Sequence, residues 1–202
     1  GVIRHKDDIL SISRNKEYDD DSNLENTVLI ELNESVNIDP EKIRNFYVDS
    51  SCGICGSSMI EGISKIHSKG DHSSHLEIDE SILRRLPENL KKKQDAFGIT
   101  GGIHAAALFG VDGEIHNLFE DVGRHNALDK LIGYQINENA LPLSSFGLML
   151  SGRTSFELVH KSALAGIPLI VAIGAPSSLA IEAAWEYEIT LVGFLSSDRF
   201  NI

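Results

Sequence analysis

The front of the chain alternates short apolar runs with polar turns. Ile9 to Ile12, Thr27 to Leu32 and Asn45 to Asp49 read as strands, the second being rich in aliphatic and β-branched residues. Residues 65–74 are polar and read as a mobile loop. Ile78, Ile82, Leu83, Leu86 and Leu90 then recur at helical spacing, with Pro87 expected to kink the helix or end it early. Ala105 to Phe109 and Glu114 to Phe119 flank Asp112-Gly113, a dipeptide that favours tight turns, and so predict a β-hairpin. A helix is expected from Gly123 to Gln135, with Leu128, Leu131 and Ile132 facing inward. From there strands and helices alternate: Phe146 to Leu150, Ser155 to Ala165, Pro168 to Ile173, Ser177 to Tyr187, Thr190 to Leu195. The last three strands are almost wholly apolar, as parallel strands covered on both faces are. This order implies right-handed βαβ units and an α/β fold, a mixed sheet flanked by helices. The division expected is a smaller β-rich N-terminal part over residues 1–48 and an α/β main domain over 49–202.

Composition narrows the function classes. The chain has 202 residues, 42% of them hydrophobic and 24% charged, the balance of a globular protein able to bury a core without staples. The longest apolar runs, such as Ile167 to Ala175, are too short to cross a bilayer. A net charge of −12 argues against general binding to nucleic acid, which needs basic surface to displace counterions. Asp19 to Asp21, with Glu17 and Glu25, concentrate part of that charge and read as a solvated loop. Gly1 opens the chain with no apolar signal segment, and the chain reads as trimmed at its front. The two cysteines, Cys52 and Cys55, form one Cys-x-x-Cys, which signals metal or redox chemistry in a reducing compartment, the cytoplasm.

Ligand sites of open α/β sheets gather beyond the carboxyl ends of the strands, and the glycine-rich segments fall there. They are Thr100-Gly-Gly-Ile-His104, Glu120-Asp-Val-Gly-Arg-His-Asn126, Ser151-Gly-Arg-Thr154 and Gly174-Ala-Pro-Ser-Ser178. Glycine allows close backbone approach, and a helix N-terminus offers free N–H groups to an anion. With Arg124, Arg153, Lys161 and Arg199 these loops resemble a pocket for a phosphate-bearing ligand. Taken singly, each also has a plain reading as a turn. His125, beside Arg124 at a helix start, suits ligand contact or helix capping equally. Glu120 and Asp121 suit acid/base work or pairing with arginines. Trp185 reads as core, and His67, His72 and His75 as incidental.

Four roles compete for Ser50-Ser-Cys-Gly-Ile-Cys-Gly56. A structural zinc site needs four ligands, and the sequence has no second Cys-x-x-Cys. A dithiol oxidoreductase pair usually opens a helix in a thioredoxin-like βαβ unit, whereas this pair follows a strand and lies between glycines. A hydrolytic zinc site of Cys52, Cys55 and His104 echoes nucleobase deaminases, but the His-x-Glu and Pro-Cys-x-x-Cys pattern is missing. Sulfur carrying needs an exposed nucleophilic thiolate and a relay partner, and fits best.

These strings, in this order, with Ser151-Gly-Arg-Thr-Ser-Phe-Glu157, Gly174-Ala-Pro-Ser-Ser-Leu-Ala180 and Leu191-Val-Gly-Phe194, resemble the formate dehydrogenase accessory sulfurtransferase (FdhD) family over roughly residues 40 to 202. The resemblance implies a cytidine-deaminase-like three-layer fold without the deaminase zinc site and with no resident metal. It implies that sulfur passes from a cysteine desulfurase to the molybdenum cofactor destined for formate dehydrogenase. Cys52 then bears the persulfide and Cys55 is the second thiol of the relay. The cargo is the bis(molybdopterin guanine dinucleotide) cofactor, bound through its guanine nucleotide portion. Phe194, Leu195, Ser196, Ser197, Asp198 and Arg199 match the family's C-terminal binding segment, which in this chain is acidic at Asp198. Gly101, Gly102, His104, Arg124, His125 and Arg153 complete the expected cofactor contacts. The family also implies a homodimer, an additional N-terminal region and a tail beyond Ile202. A cofactor-sheltering chaperone that binds guanine nucleotide without transferring sulfur is the alternative.

Overall fold

The computed structural model describes residues 6–14, 27–37 and 76–202. The expected strand from Asn45 to Asp49, the Cys52/Cys55 motif, the polar segment 65–74 and the acidic cluster around Asp20 lie outside the described residues. The chain divides into two compact units, Gly1–Tyr47 and Val48–Ile202.

In the first unit a single 3-10 turn, Lys6–Asp8, leads into β1 (Ile9–Arg14), which pairs antiparallel with β2 (Val28–Leu32). Ile12 lies opposite Ile30, while Ser11 donates a hydrogen bond to Glu31 across the ribbon (2.6 Å). Further along, Ser13 lies opposite Leu29 and Arg14 opposite Val28, so both sides of the ribbon mix polar and aliphatic pairs.

The second unit is an α/β structure around a five-stranded mixed sheet. Its strands are β3 (His104–Phe109), β4 (Ile115–Asp121), β5 (Gly147–Leu150), β6 (Leu169–Ala172) and β7 (Thr190–Val192). The order across the sheet is β4-β3-β5-β6-β7. β3 runs antiparallel to both β4 and β5, and β5, β6 and β7 are mutually parallel. Helices α1 (Glu80–Lys93), α2 (Asp95–Thr100), α3 (Arg124–Asn137), α4 (Phe156–Leu164) and α5 (Ser178–Glu186) complete the unit.

Strand alternation sorts the core into two halves. Ala106, Leu108, Leu148, Leu150, Ile170 and Ala172 pack with α3, α4 and α5. Ala107, Phe109, Met149, Leu169, Val171 and Val192 pack on the other side with Leu83, Leu86 and Leu90 of α1. Both faces of the central strands are therefore dry, which explains their continuous apolar reading.

The hairpin forms where Asp112-Gly113 predicts it. Gly113 takes a left-handed conformation, φ 79°, and donates to the Gly110 carbonyl, while the Asp112 carboxylate accepts from the Glu114 N–H (2.9 Å). α1 is capped by Asp79, which accepts from the Ser81 N–H (2.8 Å), and it does not end at Pro87 but continues to Lys93. Proline removes one backbone hydrogen bond, and the burial of Leu86 and Leu90 on either side of it outweighs that loss. The short α2, which the periodicity does not announce, ends on left-handed Gly101 (φ 65°).

Trp185 is not core. The buried stripe of α5 is Ala180, Ala183 and Ala184, continued by Tyr187, and Trp185 points away from it, 82% exposed. The helix ends on Glu188 in the left-handed region (φ 56°), with its N–H on the Trp185 carbonyl and that of Ile189 on the Ala184 carbonyl. Glycine is the residue suited to that place. Glu188→Gly is expected to raise the unfolding free energy by about 0.5–1 kcal/mol, read from urea denaturation midpoints.

Candidate functional site

The topology gathers the glycine-rich segments at one edge of the sheet. Because β3 opposes its two neighbours, the end of β4, the start of β3 and the ends of β5, β6 and β7 all meet there. His104 pairs with Asp121 across β3 and β4. The Ala105 N–H donates to Ser151 Oγ (2.8 Å), fixing the start of the β5–α4 loop against β3.

The loops after β5 and β6 are laced together by their backbones. Thr154 N–H donates to the Ala175 carbonyl (3.2 Å), Ser177 N–H to the Thr154 carbonyl (3.0 Å) and Gly174 N–H to the Gly152 carbonyl (3.2 Å). The loop after β7 joins them, with Phe194 N–H on the Gly174 carbonyl (3.2 Å). Three glycines make this approach possible. A Cβ on Gly174 would lie 2.6 Å from Gly152 and Arg153 backbone atoms, one on Gly193 2.7 Å from the Pro176 ring, and one on Gly152 2.9 Å from His104 Nδ1. The Thr154 side chain is sealed beneath, 1% exposed, and its hydroxyl has no hydrogen-bond partner among the described residues.

Glu120-Asp-Val-Gly-Arg-His-Asn-Ala-Leu-Asp-Lys130 acts as a unit. Glu120 accepts from the Ala96 and Phe97 N–H groups (2.8 and 2.9 Å) and so caps α2, a role that its charge toward a helix N-terminus favours. Asp121 accepts from the Gly123 N–H (2.8 Å), the Asn126 amide (3.1 Å) and Lys130 (2.6 Å). The Lys130 hydrogen bond, helped by the Gly123 N–H, holds the Asp121 carboxyl below the usual range. Both acids thus hold the frame of the loop. Arg124 opens α3, and its Cδ lies 3.9 Å from where a Gly152 Cβ would stand, so Arg124, His104 and Gly152 are brought together.

His125 meets the start of α4. Its Nε2 lies 2.9 Å from Ser155 Oγ and 3.8 Å from Glu157. Ser155 precedes α4 without capping it by its side chain, because that hydroxyl serves His125 instead. Lys161 links the same cluster to Asp129 (2.7 Å) and Glu157 (3.5 Å). Burial pushes the His125 pKa below its usual 6.5, Glu157 opposes this, and Arg124 and Lys161 reinforce it. A lowered histidine pKa contributes stability that is present above the unfolded value and lost as pH falls from about 6.5 toward the folded value. Between pH 7.5 and 5.5 the wild type should therefore lose more stability than His125→Gln, as urea midpoints at the two pH values will show.

The remaining expected site residues fall on the same edge with different roles open to them. Gly101, Gly102 and Arg153 are exposed. Phe194 is half exposed and held at φ 56°, a left-handed conformation unusual for a bulky side chain and a form of backbone strain found at functional sites. Leu195 is buried, 2% exposed, and packs in the core half with α1. The Ser196 hydroxyl accepts from the Asp198 and Arg199 N–H groups (3.3 and 3.1 Å), closing a turn that exposes Ser197, Asp198 and Arg199. The Ser197 carbonyl accepts from Arg84 of α1 (3.0 Å). No group of three or more metal-ligating side chains occurs among the described residues. None of their helices is long and apolar enough to cross a membrane. The bracing roles of Glu120, Asp121 and Lys130 were not legible in sequence, because nothing in the spacing tells a capping carboxylate from a reactive one.

With Arg153 and Arg199 exposed and Arg124 half-buried beside Gly152, this edge is suited to an anionic ligand. The sequence pattern that defines the FdhD/NarQ family matches residues 1–202. The sulfur carrier protein FdhD of Mycobacterium tuberculosis is 39% identical over 207 residues, taking in 100% of this chain and 75% of the relative. That of Sulfurisphaera tokodaii is 41% identical over 202 residues, with 100% and 72% covered. A crystal structure described as a formate dehydrogenase accessory protein from Desulfotalea psychrophila superposes with a TM-score of 0.58 at 27% identity, over 63% of this chain and 54% of that one. The chain thus spans about three quarters of the curated relatives and about half of the solved one. With its motifs in order and the match running from end to end, the chain belongs to the FdhD/NarQ family.

Proposed function

We propose that this protein is a sulfur carrier: it takes sulfane sulfur from a cysteine desulfurase onto Cys52 and passes it to the bis(molybdopterin guanine dinucleotide) cofactor destined for formate dehydrogenase. The observation that carries this reading is the co-occurrence, in one chain, of a lone Cys-x-x-Cys and an anion-suited sheet edge, in a family whose curated members are named sulfur carriers.

The exchange balances without an external oxidant. The Cys52 thiolate attacks the terminal sulfur of the donor's persulfide, a new S–S bond forms, the old one breaks, and the donor cysteine leaves as thiolate. The same exchange moves the sulfur between Cys52 and Cys55. Delivery as sulfide takes up two electrons. The pair supplies them when one thiolate attacks the inner sulfur of the other's persulfide and closes a disulfide, which a cellular thiol then reduces. The sheet edge would hold the cargo by its guanine nucleotide end, with Arg124, Arg153 and Arg199 meeting phosphate. His104, beside Gly152, would contact the same ligand. The compartment consistent with a free thiol pair is the cytoplasm.

Reconstitution tests the reading. Formate dehydrogenase made without its accessory sulfur carrier, supplied with this protein, a desulfurase and cysteine, is expected to gain activity, and Cys52→Ala is expected to abolish the gain. Equal recovery with Cys52→Ala, while guanine nucleotide still binds, would replace sulfur transfer by cofactor sheltering.

A further inference from the structure

The chain beyond β7 folds back on itself. Gly193 and Asn201 exchange backbone hydrogen bonds (2.9 and 3.0 Å), closing the base of a loop whose tip is the Ser196–Arg199 turn. The turn's own bonds are internal: the Ser196 N–H donates to the Arg199 carbonyl (2.9 Å), and the Ser196 hydroxyl accepts from the Asp198 and Arg199 N–H groups. Ser197, Asp198 and Arg199 are exposed, so burial does little to fix where the tip points.

Arg84 of α1 supplies what burial does not. Its Nη1 donates to the Ser197 carbonyl (3.0 Å), and its guanidinium lies over the Phe200 ring, 5.4 Å from the centroid. It thus grips the chain on both sides of Arg199, two residues before it and one residue after. Glu80, one helical turn earlier, accepts from Arg84 Nε (3.0 Å) and Nη2 (2.6 Å) and so orients the guanidinium plane. α1 is itself anchored, because Leu83, Leu86 and Leu90 share a core half with Val192 and Leu195, and Phe200 packs against that half. A planar cation with several donors can stack on a ring, donate to a carbonyl and bind a carboxylate at once, which an ammonium cannot. As a contribution to stability the arrangement is small, since the Arg84 and Glu80 side chains are 34% and 63% open to water. Its consequence is the direction in which Arg199 points.

We propose that Arg84 is a positioning residue for the nucleotide site: through the Ser197 carbonyl and the Phe200 ring it holds the Ser196–Arg199 turn so that Arg199 meets the phosphate of the cargo. This rests on the guanine nucleotide binding proposed above, and adds to it a residue outside the glycine loops that sets its geometry. A turn fixed before the ligand arrives spares binding the cost of ordering it.

The test is calorimetric titration of GDP into wild type, Arg84→Ala, Arg84→Lys, Arg199→Ala and the double variant Arg84→Ala/Arg199→Ala, with thermal midpoints alongside. The Arg84 variants should fold, since the buried leucines of α1 are untouched and alanine and lysine are good helix formers. Arg199→Ala is expected to weaken GDP binding about tenfold and Arg84→Ala about fivefold. Once Arg199 is gone, Arg84→Ala should cost less than about twofold more, because it acts through Arg199. Arg84→Lys keeps the charge and should bind GDP as weakly as Arg84→Ala. Wild-type affinity in Arg84→Ala, Arg84→Lys or Arg199→Ala would overturn the positioning role and leave the nucleotide reading in place. Fully additive losses in the double variant would make Arg84 act independently of Arg199 and overturn it as well. A wild type that binds no GDP would overturn the nucleotide reading and this inference with it.

Discussion

Gly174→Ala is expected to cost about 3 kcal/mol of stability and to abolish the guanine nucleotide binding proposed for the sheet edge. The added methyl would lie 2.6 Å from the Gly152 carbonyl carbon and oxygen and from the Arg153 nitrogen. These are backbone atoms, so no rotamer change relieves the contact. The β5–α4 and β6–α5 loops must part, and the Gly174-to-Gly152, Thr154-to-Ala175 and Phe194-to-Gly174 hydrogen bonds go with them. Gly133 is the control: a Cβ there meets nothing within 4 Å, and the residue is helical, so Gly133→Ala should be neutral or stabilising by up to about 1 kcal/mol. Thermal unfolding of the two variants separates a close approach that needs glycine from one that merely contains it.

Arg124→Ala is expected to weaken guanine nucleotide binding by roughly 10- to 100-fold, the range for losing a charge-assisted hydrogen bond to phosphate. Arg124 opens α3 beside His104 and Gly152, where three loops converge. Lys130, which also carries charge and lies on the same helix, is committed to Asp121 and the Glu120 carbonyl. Lys130→Ala should accordingly lower stability more than nucleotide affinity. Calorimetric titration with GDP, alongside thermal midpoints, reads both effects.

The strands and helices from 104 onward were legible because their apolar spacing and their glycine and serine punctuation agree with one another. The convergence of the glycine loops followed from strand order once β3 was placed antiparallel between β4 and β5. What the spacing did not reveal has physical reasons. α2 is six residues long and held by the Glu120 carboxylate, a contact distant in sequence. Pro87 was overridden by tertiary burial of the leucines around it. Trp185 reads as core by residue type, yet its position relative to Ala180, Ala183 and Ala184 puts it on the opposite side of the helix, a phase that the sequence does contain. His125 and Ser155 belong to separate motifs, and only the packing of α3 beside α4 shows that the serine serves the histidine.

The most direct measurement of the central claim is intact-protein mass spectrometry after incubation with a cysteine desulfurase and cysteine, on wild type, Cys52→Ala and Cys55→Ala. The account predicts a gain of one sulfur, removed by reductant, in the wild type and no gain in Cys52→Ala. A folded wild type that binds guanine nucleotide and gains no sulfur, or a Cys52→Ala variant that gains it as readily as the wild type, would contradict the account.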